Sequence, residues 1–481
     1  MESGTFAPLE TGDPEDNRQS DHRIAFARAE LPRVRAFTWQ TFKYRYFNDK
    51  SVQDFKDWIV LHDWAEVYAA EGSDPKTNAY QATITWAIEK FFPLRTTRRK
   101  STDLPWINDK VKKMIKDRKK LFWDEGGTRT AAWREAKERT DRAILERKKG
   151  YMKTQREHIL DEDAARNFDR NVKTFNTVER PKEFDVCSLF PDIKDDKIIT
   201  EELEGYFNKI SQESEPLGEG DVPRARSEEI EPLRVHEVAK RIKKFRKPKS
   251  MVKGDIFPKL MTDFADFFAL PLTDIYNEII RRNCWPVCWK QEFVTAIPKN
   301  THPGGIGDLR NISCTMLASK IFESYVLGWL KAQVRLKSNQ FGGIKGVGTD
   351  HLLVQLWQSM LENLEDYRAG TIIASIDYAK AFNRMSFQEC LKALARKGAS
   401  SQVLGLVATF LKDRTMSVKV GEEWSHPRPV TGGCPQGSIL GVFLFNCTIN
   451  DLEDGCGEIE MDIPGNGGPT EIGLRRVGGL L

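Results

Sequence analysis

Apolar positions three and four apart mark the chain from about Trp39 to Phe92, as in Phe55-Trp58-Ile59 and Ile84-Ile88-Phe91. This is the period of helices that bury one face. Gly72-Ser73-Asp74-Pro75 interrupts the pattern, so a helix is expected on either side of it. Two charged helical stretches follow, LPWINDKVKKMIKDRKKLFW (104–123) and AAWREAKERTDRAILERKKGYMKTQREHIL (131–160). Pro105 ahead of Trp106 suits a helix start, and Glu/Lys pairs three and four apart support long exposed helices. Residues 211–232, SQESEPLGEGDVPRARSEEIEP, are polar and rich in Pro, Gly and Glu, and read as a linker. Beyond them a region of mixed strands and helices is expected to about Leu452. Within it the short apolar run Thr371-Ile372-Ile373-Ala374-Ser375-Ile376 predicts a strand that delivers Asp377 at its end. The first twenty or so residues are acidic and turn-rich, and the Gly-rich tail lacks periodicity, so neither predicts fixed structure.

Charge changes this picture. The net charge of +4 over 481 residues conceals a stretch, Arg95 to His158, with 21 Lys/Arg against 10 Asp/Glu. That excess of basic residues suggests contact with a polyanion. The stretch reads equally as a solvated helical linker or as a nucleic-acid-contacting face. Trp106, Phe122, Trp123 and Trp133 among the basic residues could stack on bases, although most fit the apolar seam of a helical hairpin. The length predicts two or three domains. The polar N-terminus shows no secretory signal. The longest uncharged stretch, Pro429 to Asn450, contains Gly432-Gly433, Pro435, Gln436 and Asn446, which argues against a membrane span. Eight scattered cysteines, with Cys284/Cys288 the only close pair, predict reduced thiols rather than a zinc site. An intracellular protein of the nucleus or cytoplasm, not a secreted one, is the expectation.

Taken singly, the candidate residues have ordinary explanations. An Asp at a strand end is commonly a cap or turn residue, and Lys299 or Arg310 alone would be a surface cation. Their context differs. PVCWKQEFVTAIPK (286–299) is followed by DLRNISCTMLASKIFES (308–324), NQFGGIKGVGTDHLL (339–353), SIDYAKAFNRM (375–385) and GGCPQGSILGVFLFNCTINDL (432–452). This succession resembles the fingers and palm of a reverse transcriptase of the non-LTR, LINE-type retrotransposons. KKFRKPKSMVKGDIFPKLM (243–261) resembles the family's entry segment, with MVKGD where Pro-Gly-Pro-Asp-Gly is usual. Several motifs in the family's order are a far stronger signal than any one of them.

The resemblance implies RNA-directed DNA synthesis by two-metal nucleotidyl transfer, with Mg²⁺ or Mn²⁺ as cofactor and an RNA template and DNA primer as partners. Asp377 would be the first metal ligand and catalytic carboxylate. Phe382 would occupy the ribose 2′ position and exclude ribonucleotides. Lys299 and Arg310 would grip the incoming nucleotide's phosphates, Arg as a bidentate fork and Lys as a point charge. Gln436 and Gly437, within Pro435-Gln436-Gly437-Ser438, would line the nascent base pair, Gly437 by allowing close backbone approach. Asn383 stands where the family usually has Asp, at a position that is not a metal ligand. Gln340-Phe341-Gly342 and Lys345-Gly346 resemble a turn that is mainly structural.

The family's second and third carboxylates arrive in a Tyr/Phe-x-Asp-Asp hairpin soon after the segment matched by NCTINDL. Here EDGCGEIEMDIPGNGGPTE follows, and no Asp-Asp pair occurs after Asp377. Metal binding is therefore expected to be weak and polymerase activity absent from this chain by itself. The thumb is missing as well, so a fragment, a decayed or mis-spliced copy, is expected. A palm without its central hairpin would leave a strand edge exposed. Near the start, Gln19-Ser20-Asp21-His22-Arg23 resembles the last motif of the apurinic-type endonuclease that precedes the polymerase in many such elements. Asp21 and His22 would be an endonuclease relic without an active site, and Ser-Asp-His also suits a helix cap. The expected organisation is a disordered start with this remnant (1–30), a helical basic connecting region (31–210), a linker (211–232), fingers and partial palm (233–455), and an unstructured tail (456–481). The fold class is α+β, an incomplete right-hand polymerase preceded by a basic α-helical region. The alternative is a non-enzymatic RNA- or DNA-binding relic that contacts nucleic acid through 95–158.

Overall fold

The computed structural model describes residues 2–6, 24–28, 39–100, 104, 106–160, 184–246, 248, 251–252, 254–344, 346–365, 369–376, 380–451, 460–462 and 471–478. Helices and sheets are both present, as an α+β reading requires. The chain divides into two units, Met1–Arg45 with Leu94–Lys182, and Tyr46–Pro93 with Glu183–Leu481.

In the first unit, the helices Asp109–Asp124 and Ala131–Leu160 pack against each other. The first starts at Asn108, whose side chain accepts from the Val111 amide at 3.0 Å, a cap that satisfies one of the open amides of the first turn. Phe122 meets Trp133 at 6.1 Å and Trp106 meets Tyr151 at 5.7 Å, so these rings form the hairpin's apolar seam. Trp123 stays 73% exposed. Ahead of the helices, Trp39–Arg45 pairs antiparallel with Leu94–Lys100, from Trp39 opposite Lys100 to Arg45 opposite Leu94. The helical pattern expected from Trp39 therefore begins later, at Asp49. Phe42-Lys43-Tyr44-Arg45 alternates apolar and polar with a period of two, and that local signal outweighs the helical one downstream. A second antiparallel pair, Glu2–Phe6 with Ile24–Arg28, lies where a disordered start was expected.

The second unit holds the main core. Its helices include Asp49–Leu61 and Ser73–Phe91, which flank Gly72 (φ +96°) and the short helix Ala65–Ala69. Ala265–Arg282 and Leu317–Gln333 bring Tyr276 against Phe322 at 5.0 Å. A sheet runs in the order Arg428–Val430, Arg414–Val420, Gln291–Pro298, Leu309–Cys314, with Glu423–Trp424 added to Arg414–Val420. Strand alternation divides its faces: Phe293 packs against the main core, while Val294 meets Leu203 and Phe207 of the helix Asp196–Ser211.

The expected 211–232 linker is not a boundary in this structure. Leu217 is buried, Arg226 O accepts from the Ser401 amide at 2.9 Å, and the Ile230 amide donates to Gln402 Oε1 at 2.6 Å. A Pro/Gly-rich composition fits such an irregular segment as well as it fits a linker, because the backbone bonds come from distant residues. For the same reason residues 46–93 and 184–210 belong with the second unit and not with a separate connecting region. The tail also differs from expectation. Glu471–Gly478 pairs antiparallel with Ala369–Ile376 along its whole length and with Glu460–Asp462 on its other side. One edge of the strand that precedes Asp377 is thus occupied. Ile472 and Leu474 carry a short alternation that the surrounding glycines obscure.

Candidate nucleotide and nucleic-acid site

Lys299 and Arg310 sit at one end of the antiparallel pair Gln291–Pro298 and Leu309–Cys314, where Ile297 faces Arg310 and Pro298 faces Leu309. The intervening turn is closed by the Lys299 amide donating to Asp308 O at 2.8 Å and by the Gly304 amide donating to Asp308 Oδ2 at 2.8 Å. Both cations are exposed. The Lys299 ammonium donates to Gly307 O at 2.9 Å. Among the described residues the Arg310 guanidinium has no ion-pair or hydrogen-bond partner, which leaves its fork open to an anion.

The turn Pro435-Gln436-Gly437-Ser438 docks on the same strand three residues from Arg310. Gln436 O accepts from the Ser313 amide at 2.9 Å. Gly437 has φ +135°, and a Cβ there would collide with Ser313 O, so only glycine fits. The close approach expected at Gly437 is therefore made to the protein's own backbone. Two buried acids hold this arrangement. Glu323, fully buried on Leu317–Gln333, accepts from the Ile439 and Leu440 amides at 2.7 and 3.3 Å, just ahead of the helix Gly441–Ile449. Burial pushes its carboxyl above the ordinary range. Glu292 accepts from Ser313 Oγ at 2.8 Å and from Arg414 Nε at 2.9 Å, with Arg414 0% exposed. Asp255, the acid of MVKGD, accepts from the Leu317 amide at 2.7 Å, and burial raises its carboxyl to about 6.

Phe382 lies on the single-turn helix Ala381–Arg384, with its ring against Phe445 at 4.8 Å. The Cys434 amide donates to Phe382 O and the Gly433 amide to Met385 O, both at 2.8 Å. Gly433 (φ +85°) is a second close approach, 2.7 Å from Asn383 O for an added Cβ. The segment 433–440 therefore ties Phe382 to the strand that carries Arg310. One face of Phe382 is already engaged in packing.

Two residues missed by sequence reasoning join this neighbourhood. Lys380, at φ +58°, donates to the Tyr206 hydroxyl at 2.5 Å and stands 4.1 Å over that ring. A Cβ on Gly307 would be 3.5 Å from the same hydroxyl. A mid-helix tyrosine gives no local signal of such a contact. The interior Glu292 and Arg414, charged residues in otherwise core-facing stretches, were a readable signal of a buried pair.

Asp377 lies outside the described residues, as do Lys345 and the endonuclease-relic candidates Asp21 and His22. The strand before Asp377 ends at Ile376, opposite Glu471 in register, and Asp462 is opposite Ile472. Among the described residues no three His, Cys, Asp or Glu side chains come together as a metal site. The carboxylate set that two-metal chemistry needs is not assembled by the residues described, and no catalytic step follows from them. Among the described residues seven cysteines are free. Among the described residues no helix is long and apolar enough to cross a membrane.

Comparison with known proteins shows what this region is similar to. Residues 297–460 match the model for reverse transcriptase (RNA-dependent DNA polymerase) and contain all the polymerase candidates named above. The chain is 28% identical over 251 residues to a probable RNA-directed DNA polymerase from transposon BS of Drosophila melanogaster, covering 51% of this chain and 28% of that protein. It is 29% identical over 202 residues to the RNA-directed DNA polymerase from mobile element jockey of Drosophila melanogaster, covering 40% of this chain and 21% of that one. A Pol polyprotein from type-1 retrotransposable element R2 of Popillia japonica is 26% identical over 187 residues, 38% of this chain and 26% of the polyprotein. The chain thus spans about a quarter of the length of these relatives. It carries a reverse transcriptase domain and is related to the RNA-directed DNA polymerases of non-LTR retrotransposons.

Proposed function

We propose that this chain is a nucleic-acid-binding protein of reverse transcriptase descent that does not polymerise DNA by itself. One pairing of observations supports the reading: the cations Arg310 and Lys299 lie beside the Gln436-Gly437 turn within the matched domain, and the sequence after Asp377 holds no Asp-Asp pair. Ser313 ties that turn to the strand that carries Arg310. Asp377 alone would bind Mg²⁺ or Mn²⁺ weakly, since hard divalent cations need several oxygen ligands.

Binding needs less than catalysis does. Cationic and aromatic groups on rigid elements suffice for an RNA or DNA strand, and the affinity falls with salt as counterions are released. The basic hairpin within 95–158 supports this, with Trp123 exposed beside its lysines. An incomplete right-hand polymerase fold and an intracellular location, nuclear or cytoplasmic, belong to the same reading.

Primer extension on an RNA template with Mg²⁺ tests it. The expected result is no extension above background, with salt-sensitive RNA binding that Asp377→Asn leaves unchanged. Extension that Asp377→Asn abolishes would overturn the proposal.

A further inference from the structure

A groove of about 1140 Å³ opens between the helices Val235–Lys244 and Leu317–Gln333, largely ahead of the matched domain in sequence. Val238, Ala239 and Ile242 face the core, so the helix Val235–Lys244 turns its basic residues outward. Lys240 and Lys244 are exposed, one helical turn apart, and have no ion-pair partner among the described residues. Their neighbour Lys243 is different: it pairs with Asp266 at 2.8 Å and does not line the groove.

The other wall is aromatic. Tyr325 and Trp329, four residues apart on Leu317–Gln333, have ring centroids 6.2 Å apart at 34°. Arg241 bridges the walls, its guanidinium 4.3 Å over Tyr325 and one of its nitrogens donating to Ser324 O at 3.4 Å. Trp329 is half-buried, which fixes its ring while leaving part of it accessible. Glu231 and Glu237 line the groove at the end where the Glu237 carboxylate accepts from the Arg234 amide. Positive charge therefore concentrates towards Lys244.

We infer that this groove binds a single-stranded nucleic acid, with phosphates along the Lys240–Lys244 row and a base against Trp329. The inference deepens the nucleic-acid reading above and rests on it. A cationic row facing a rigid aromatic wall is what an unpaired strand needs, because every base has a π-face and every linkage a charge. An acidic peptide would use the lysines and leave the aromatic wall without a role. A duplex presents no unstacked base to Trp329.

The test uses the full chain and a labelled short oligouridylate, with affinity measured across a salt series. Lys240→Gln/Lys244→Gln should weaken binding roughly tenfold and flatten the log–log salt slope by about 1.4, or about 0.7 for each phosphate left without its lysine. The control Lys243→Gln/Lys259→Gln removes the same charge from residues paired with Asp266 and Asp263, and should leave both unchanged. Trp329→Phe, which keeps an aromatic wall, should cost less than Trp329→Leu. A duplex of equal phosphate number should bind more weakly, and polyglutamate should not compete. Equal behaviour of the two double variants would overturn the groove while leaving the nucleic-acid reading intact. Competition by polyglutamate as strong as by oligouridylate would assign the groove to acidic peptides. A wild-type chain that binds no oligonucleotide would remove the nucleic-acid reading and this inference together.

Discussion

The helical hairpin of Asp109–Asp124 and Ala131–Leu160 and the region around Arg414 use charge in opposite ways. In the hairpin few described side chains are buried, Val111 and Thr140 among them, and its ion pairs lie at the surface: Arg118 and Lys137 with Asp141, and Glu135 with Arg139. Around Arg414 the charges are interior: its Nε donates to Glu292, its Nη1 donates to Phe410 O, and Glu292 also accepts from Ser313, while Arg414 Nη2 has no hydrogen-bond partner among the described residues. Surface pairs are screened and contribute little, whereas an interior pair that loses one member leaves a desolvated charge behind. Charge in the hairpin stays at the solvent-facing surface. Charge around Arg414 sets the position of the strand that carries Arg310.

The sharpest way to break this contrast is Arg414→Met. It strands the Glu292 carboxylate in the interior and should destabilise the second unit by about 3–5 kcal/mol. Urea unfolding followed by tryptophan fluorescence reads the loss. A change below ~1 kcal/mol would mean that the buried pair is not a structural anchor. Gly437→Ala comes next. A methyl group driven against Ser313 O on a positive-φ residue should cost about 1–3 kcal/mol. It should also weaken nucleotide or nucleic-acid binding, because the turn cannot dock beside Arg310 without shifting. Wild-type melting temperature and affinity in that variant would show that the turn is adaptable. The smallest effect is expected from Asp141→Asn, which removes the carboxylate shared by Arg118 and Lys137. Stability should change by less than ~1 kcal/mol, and RNA affinity should hold or rise slightly with the added positive charge. A destabilisation comparable to that of Arg414→Met, measured in the same unfolding experiment, would erase the difference between the two regions.

The order of the candidate motifs was legible before any tertiary information. Lys299, Arg310, Phe382, Gln436 and Gly437 stood in an ordered set of motifs, and the segment 433–440 hydrogen-bonds both to Phe382 O and to Ser313, three residues from Arg310. The partners of that segment were not legible. Nothing near Tyr206 indicates that its hydroxyl will receive Lys380, and nothing near Glu323 indicates that it will cap residues 439 and 440, more than a hundred positions away. Composition misled at 211–232, where Pro and Gly serve an irregular but packed segment.

The sequence by itself determined what depends on near neighbours: the amphipathic helices, the concentration of positive charge in Arg95–His158, the order of the polymerase motifs, and the lack of an Asp-Asp pair after Asp377. Tertiary structure alone decided that residues 46–93 join 183–481, that Gly437 rests on Ser313, and that Glu471–Gly478 lines the strand ending at Ile376. The reason is physical. Helix periodicity and net charge are sums over adjacent residues. Strand partners, close backbone approaches and buried ion pairs are chosen by hydrogen-bonding groups that only the folded chain brings within reach.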